Sequence, residues 1–330
     1  MTRFQLILLG LCVLTLITFL WSIMAGAVPI SSKVVLNTLF HFDGPKQDYI
    51  INRSRLPRSL LALMTGGSLA LSGAIIQALL RNPLASPKII GINSGAALAV
   101  LLATLLLPNL SYQWVPFIAT LGGFIAVALV YVMAELRPVS PARLALIGVA
   151  VGFACDAGVD FILVTADTYV VSSPLVWLTG SLWARGWTHV SQVAPFLLPM
   201  SVIALFMMHQ LDLIRLGAAQ ASSLGQHVRS TRLILLAIAT FLAAVSVSAV
   251  GVLGFVGLMA PHIARRLVGG EHSKLLPVAM LVGALLVLAG DAAGRALAPP
   301  LEISAGIFTA LFGAPFFIFI MLTNKSEETT

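Results

Sequence analysis

The residues able to do chemistry in this 330-residue chain are few, because only 9% of its positions are charged. Three groupings stand out. "RSRLPRSL" places Arg53, Arg55 and Arg58 within six positions, directly before a long apolar run. "ACDAGVDF" sets Asp156 and Asp160 four residues apart, and so on one face of a helix. "AGDAAGRALAPP" sets Asp291 and Arg295 at the same spacing, where an exposed helical ion pair is worth only about 0.2–0.5 kcal/mol. A carboxylate at the centre of a membrane helix costs about 2.5–3.5 kcal/mol, so such groups face a bundle interior or a watery path. For Asp156 and Asp160 three readings stand: solvation or pairing near the outer helix end, lining of a solute path, and proton or cation coupling.

Enzymatic chemistry finds no support. The five lysines, Lys33, Lys46, Lys88, Lys274 and Lys325, all lack a preceding glycine, so there is no Gly-rich phosphate-cradling loop. H-E-x-x-H and G-x-S-x-G are absent and the six histidines are scattered. Cys12 and Cys155 lie far apart in apolar segments, with no spacing suited to a disulfide framework or a zinc site. No catalytic residue, metal ligand or cofactor is assigned to the chain. If ATP drives its work, another chain must bind the nucleotide.

The elements that position these residues are membrane spans. The chain is 59% hydrophobic with a mean hydropathy of +1.01, against about 45–50% apolar and about 25% charged residues in soluble domains. That composition predicts an all-α polytopic membrane protein with a single transmembrane domain over residues 1–330. Ten apolar runs approach the roughly 20 residues of a spanning helix: 5–27, 58–80, 92–107, 114–134, 143–165, 192–210, 232–250, 252–268, 275–293 and 304–323. The first is read as a span rather than a cleaved leader, because it is longer than a usual leader's apolar core. The third and eighth are short and Gly-rich, suiting tilted or partly re-entrant helices inside a bundle. Gly91 and Gly95, and Gly290 and Gly294, have the four-residue spacing that lets helices approach closely.

With the N-terminus inside, twelve of the nineteen Lys and Arg residues fall in inner loops and seven in outer ones. The bias favours both termini on the cytoplasmic side and puts "RSRLPRSL" outside. The longest polar interruption, residues 210–233, reads as one or two short helices with Leu213, Leu216 and Gln220 on one face. It is either a turn lying on the membrane surface or a docking element for a cytoplasmic partner.

Several stretches resemble one family over essentially the whole chain: "RLPRSLLALMTGGSLALSGAIIQALLRNPLASP", "GINSGAALA", "WLTGSLW", "GFVGLMAPHIARRLVG" and "LFGAPFF". They are similar to the permeases of ATP-binding-cassette importers for ferric siderophores, ferric citrate, haem and cobalamin. The resemblance implies about ten transmembrane helices in a bacterial inner membrane. Spans two to five would be related to spans seven to ten as inverted halves, a common transporter design. It further implies a second permease subunit (identical or different), two ATPase subunits using ATP and Mg, and a solute-binding protein on the outer face. The family's docking arginines fall on Arg55, Arg58 and Arg295. Its ATPase-coupling positions fall on Leu216, Gly217, Ala221, Leu224 and Gly225, within a cytoplasmic segment over 211–231. Its cytoplasmic gate falls on Ser140, Pro141 and Ala142, a departure from the small hydroxyl residues frequent there. Spans five and ten line the path, with Asp156, Asp160 and Phe316 as lining candidates. The wording of "WLTGSLW" and "RNPLASP" is nearest to ferric-citrate permeases, while other siderophores, haem and cobalamin stay open. A different class, an ion-coupled secondary transporter using Asp156 and Asp160, gives no reason for the 216–225 element. An intramembrane enzyme has no nucleophile–base or metal set behind it.

Overall fold

The computed structural model describes residues 2–40, 45–107, 109–135, 141–166, 175–297, 299 and 301–323, and among these the regular elements are all helices. Hydrocarbon offers no partner to a free N–H or C=O, so a chain this apolar satisfies its backbone locally. The helices are α1 (Arg3–Met24), α2 (Ser32–Phe40), α3 (Pro45–Asp48), α4 (Leu56–Leu80), α5 (Ile92–Leu106), α6 (Val115–Glu135), α7 (Pro141–Thr165), α8 (Trp187–Phe206), α9 (Met208–Leu216), α10 (Ala218–Ser223), α11 (Val228–Val250), α12 (Val256–Val268), α13 (His272–Leu297) and α14 (Ala305–Thr323). A π-helical stretch, Tyr49–Arg55, runs straight into α4. Pro57 follows as the second residue of α4 with no N–H to give back to the π-helical stretch, where the Asn52 carbonyl accepts from Trp187 Nε1 at 2.7 Å.

Helices occupy all ten expected ranges, with two informative shifts. α8 begins at Trp187, five residues before the expected 192, so its apolar run is led by a polar turn. α12 begins at Val256 rather than 252, because residues 251–254 break the chain between α11 and α12. The 13 residues of α12 rise about 20 Å, short of the roughly 30 Å hydrocarbon core. That length suits a helix held inside the bundle. Seven of the helices over described residues are long and apolar enough to cross a membrane, and α5 and the 305–318 part of α14 are apolar but shorter.

α4 forms the centre of the bundle and α1 its margin: 83% of α4's apolar window is buried, against 11% for α1. The packing pairs repeat. α4 packs on α13 as α11 packs on α6, α4 and α11 pack on one another, and the α5–α6 pair has its counterpart in α12–α13. Those pairings are what two related four-helix halves would make, α4 to α7 against α11 to α14. Ser72 Oγ donates to the Ala239 carbonyl at 2.6 Å and ties the two central helices. Before α14, the "WLTG" segment is fixed by Gly306 N–H donating to the Gly180 carbonyl at 2.8 Å and by Thr179 Oγ1 against Ser304 Oγ at 2.7 Å.

Small residues let α4 and α12 approach closely. A Cβ at Gly73 of α4 would lie 1.8 Å from the Gly257 carbonyl oxygen at the start of α12. Backbone would have to move to admit it. Gly73→Ala is therefore expected to destabilise the chain by about 1–3 kcal/mol, the usual cost of overpacking. The melting temperature of the detergent-solubilised protein reads this, and an unchanged value would show that α4 and α12 can part freely.

Candidate functional site

At one end of the bundle the chain gathers the arginines singled out by sequence. Arg55, Arg58 and Arg295 lie together there, and all three are buried. Arg58 holds Asp291 with its fork: Nε lies 3.0 and 3.1 Å from the two carboxylate oxygens and Nη2 lies 2.8 Å from Oδ1. Its Nη1 donates to Glu302 Oε2 at 2.7 Å. Arg295 donates through Nε to Asp291 Oδ2 at 3.1 Å, so one carboxylate, itself 1% exposed, lies between two guanidinium groups. Arg295 also donates to the Ser22 and Ala25 carbonyls, at 2.9 and 3.0 Å. Arg55 donates to the carbonyls of Ile23, Met24 and Val28, at 2.8, 2.9 and 2.6 Å. Most of these carbonyls belong to the C-terminal end of α1, where cations meet the negative end of the helix dipole.

The resemblance implies that these three groups meet a docking partner; in the single chain they are buried. Their donors are used inside the chain, tying α1, α4 and α13 together. Arg53, beside them, is exposed, with 72% of its side chain accessible and Asp48 at 3.8 Å. The expected Asp291–Arg295 pair is present, but as part of a buried cluster rather than a surface pair. The i,i+4 spacing pointed to it; nothing local pointed to Arg58, 233 residues away in sequence.

At the opposite end, the polar 210–233 interruption forms two short helices, α9 and α10, broken at Gly217 with φ +119°. The break separates Leu213 and Leu216 from Gln220, so the single continuous face expected for them does not form. The face that α9 turns inward carries Leu211 and Ile214. Of the coupling candidates, Ala221 is buried, while Leu216 and Leu224 present bare side chains to solvent. Gly225 has φ +83°, and a Cβ added there would meet no atom within 4 Å, so what restricts it is backbone conformation rather than space.

Sequence reading missed how α9 is fastened. Asp212 accepts from the backbone N–H of His272 at 3.2 Å, and its Oδ1 lies 2.5 Å from His272 Nδ1. Arg215 Nη1 donates to the Gly270 carbonyl at 2.6 Å. Arg81, at the C-terminal cap of α4, donates to the Ile214 carbonyl at 3.1 Å. α9 is thus latched to the α12–α13 turn and to the end of the central helix. In the same turn, the Lys274 ammonium and the Ser273 hydroxyl hold the exposed Glu271 carboxyl below its ordinary range. The available signal was the pair of polar clusters "LDLIR" and "GGEHS" at facing helix ends.

Asp156 and Asp160 lie on α7, Asp156 half-buried and Asp160 exposed, among exposed Phe153 and Phe161. Phe316 of α14 is half-buried with its ring edge-on to His262 of α12, centroids 5.8 Å apart. Ser140 lies outside the described residues; Pro141 and Ala142 open α7, and their side chains lie outside them too. No cluster of metal-ligating side chains occurs among the described residues.

The helices form a multi-pass membrane bundle, with a central helix pair, a two-helix element at one end and a buried arginine cluster at the other. The chain belongs to the FecCD transport family, whose model matches residues 14–323. It is 41% identical to the Fe(3+)-citrate import system permease protein YfmE of Bacillus subtilis (strain 168), over 97% of this chain and 96% of that one. It is 39% identical to the Fe(3+) dicitrate transport system permease protein FecD of Escherichia coli (strain K12), over 93% and 95%. Among solved structures, a metal-chelate type ABC transporter in an inward-facing conformation superposes with a TM-score of 0.84 at 34% identity, covering 97% of this chain and 99% of that chain.

Proposed function

We propose that this chain is the permease subunit of an ATP-binding-cassette importer that carries a ferric chelate, ferric citrate first among candidates, across a bacterial inner membrane. The full-length match to ferric citrate permeases is the observation that carries this reading. In it the termini are cytoplasmic, α9 and α10 seat in a partner ATPase that uses ATP and Mg, and a solute-binding protein docks at the arginine end. A second permease chain completes the path. The exposed face of α7 supports that last point: a carboxylate such as Asp160 left against hydrocarbon would cost about 2.5–3.5 kcal/mol, whereas a water-filled path between two permease chains hydrates it. Leu216 and Leu224 offer the ATPase apolar shape rather than charge, and residues 140–142 at the start of α7 are the candidate cytoplasmic gate.

The test is reconstitution with the neighbouring ATPase, second permease and binding protein, measuring uptake of labelled ferric citrate into proteoliposomes. Uptake should require ATP on the ATPase side and survive an uncoupler. Uptake that ignores ATP and collapses with the uncoupler would instead mark ion coupling through Asp156 and Asp160. Haem or cobalamin transported in place of ferric citrate would keep the importer class and change the solute.

Docking is read onto the same outer end, with Arg53 as the exposed cation that meets an acidic partner and Arg55, Arg58 and Arg295 as the frame beneath it. Rim charges act mainly on encounter rate. Arg53→Gln is expected to slow uptake by about threefold to tenfold at limiting binding protein, with a nearly unchanged melting temperature because the Arg53 side chain is 72% exposed and its contact with Asp48 is a long one. Normal uptake at limiting binding protein would remove Arg53 from the docking surface.

A further inference from the structure

Where the C-terminal end of α4 meets α6, α11 and the start of α7, a cavity of about 530 Å³ opens between the helices. Arg81, Arg229 and Arg232 stand around it, exposed, and Tyr131, Leu144 and Leu236 line it half-buried. Every charged side chain among its described lining residues is an arginine. The positive-inside bias accounts for arginines at a membrane rim. It does not account for arginines from two helices converging over one aliphatic cavity.

We propose that this cavity binds the phosphate of an anionic phospholipid, with Arg81, Arg229 and Arg232 around the headgroup and an acyl chain along Leu144 and Leu236. Guanidinium forks match phosphate oxygens bidentately, and basic pockets between membrane helices are suited to such headgroups. Free phosphate shares the headgroup chemistry, but the walls favour the lipid: exposed Leu233 and Ile234 continue the apolar surface outward along α11. Arg81 also holds the end of α9 through the Ile214 carbonyl, so the bound lipid sits directly beside the latch described above. The proposal needs only that the chain is a multi-pass membrane protein, and stands apart from which solute it carries.

The purified full chain is delipidated, titrated separately with phosphatidylglycerol and phosphatidylethanolamine, and retained lipid is counted by native mass spectrometry. Phosphatidylglycerol should be retained in preference, and its retention should fall as salt is raised. Arg229→Gln with Arg232→Gln should weaken retention by about tenfold to thirtyfold, and excess inorganic phosphate should not displace the lipid. Equal retention of both lipids, retention indifferent to salt, or equal retention by wild type and variant overturns the proposal. Because the first two outcomes need only the wild-type chain, a variant that misfolds does not rescue it. Displacement by inorganic phosphate overturns the lipid as the source of the phosphate. Release of phosphatidylglycerol on addition of the partner ATPase would assign the cavity to a protein contact, which also overturns it.

Discussion

Asp291→Ala is expected to destabilise this protein by about 3–5 kcal/mol, the usual cost of removing one partner from a buried ion pair. The carboxylate is 1% exposed and is the shared acceptor of Arg58 and Arg295. Without it, Arg295 keeps only neutral acceptors, the Ser22 and Ala25 carbonyls and the Ser22 hydroxyl. Arg58 keeps Glu302, whose side chain is 34% exposed and so a weaker, more screened partner. Three guanidinium groups would then face one carboxylate where two now balance them. Water reaches this site poorly, and desolvated charge is expensive. The measurement is thermal unfolding of the detergent-solubilised chain against wild type. Replacing the whole set, as Arg58→Met with Asp291→Leu and Arg295→Met, should recover much of the loss, because a buried ionic cluster is often no more stable than its apolar counterpart. An Asp291→Ala protein that melts with wild type would mean that the cluster is hydrated and carries no such weight.

Asp212→Ala combined with Arg215→Ala is expected to lower transport per ATP hydrolysed by about tenfold or more, within the roughly 5–150-fold range typical of coupling between sites. The reasoning is mechanical. Beyond its buried Leu211 and Ile214, α9 is tied to the body of the permease by three polar fastenings: Asp212 on His272, Arg215 on the Gly270 carbonyl and Arg81 on the Ile214 carbonyl. Two of the three fastenings lead to the turn that starts α13, and α13 packs along the central α4 over its length. Coupling passes through contiguous packed and hydrogen-bonded elements that shift together. Cutting the two fastenings to that turn leaves α9 and α10 free to follow the ATPase without moving α13. The readout is paired: uptake and ATP hydrolysis in the reconstituted complex. Hydrolysis should persist while uptake falls. If both persist at wild-type ratio, force reaches the bundle by another route, and if both vanish, the latch serves assembly instead.

The helices, their approximate ends and the two-helix element over residues 208–223 were legible in the residues. So was the Asp291–Arg295 pair, because a four-residue spacing is a local property of a helix. The family likeness was legible in motifs such as "RLPR" and "WLTG", although the physical work of "WLTG" was not. Its glycine carbonyl accepts from the N–H of Gly306, a partner far along the chain. The start of α12 was misplaced by four residues because "GVLGF" is apolar, and hydropathy does not distinguish an apolar break from an apolar helix.

The arginines mark the boundary most clearly. Reading cations at a membrane edge as outward-facing follows from the cost of burying charge, and that cost is what the sequence conveys. Whether it is met depends on acceptors brought from elsewhere. Here the carbonyls ending α1, the carboxylate of α13 and Glu302 beyond it converge on residues of the π-helical lead-in and α4. By itself the sequence determined that this is a helical membrane protein, where its helices run, and which family it belongs to, because backbone satisfaction in lipid is settled residue by residue along the chain. Only the tertiary structure decided which arginines are buried, how α9 is fastened and where a cationic cavity opens. Each of those depends on partners distant in sequence, which no local period reveals.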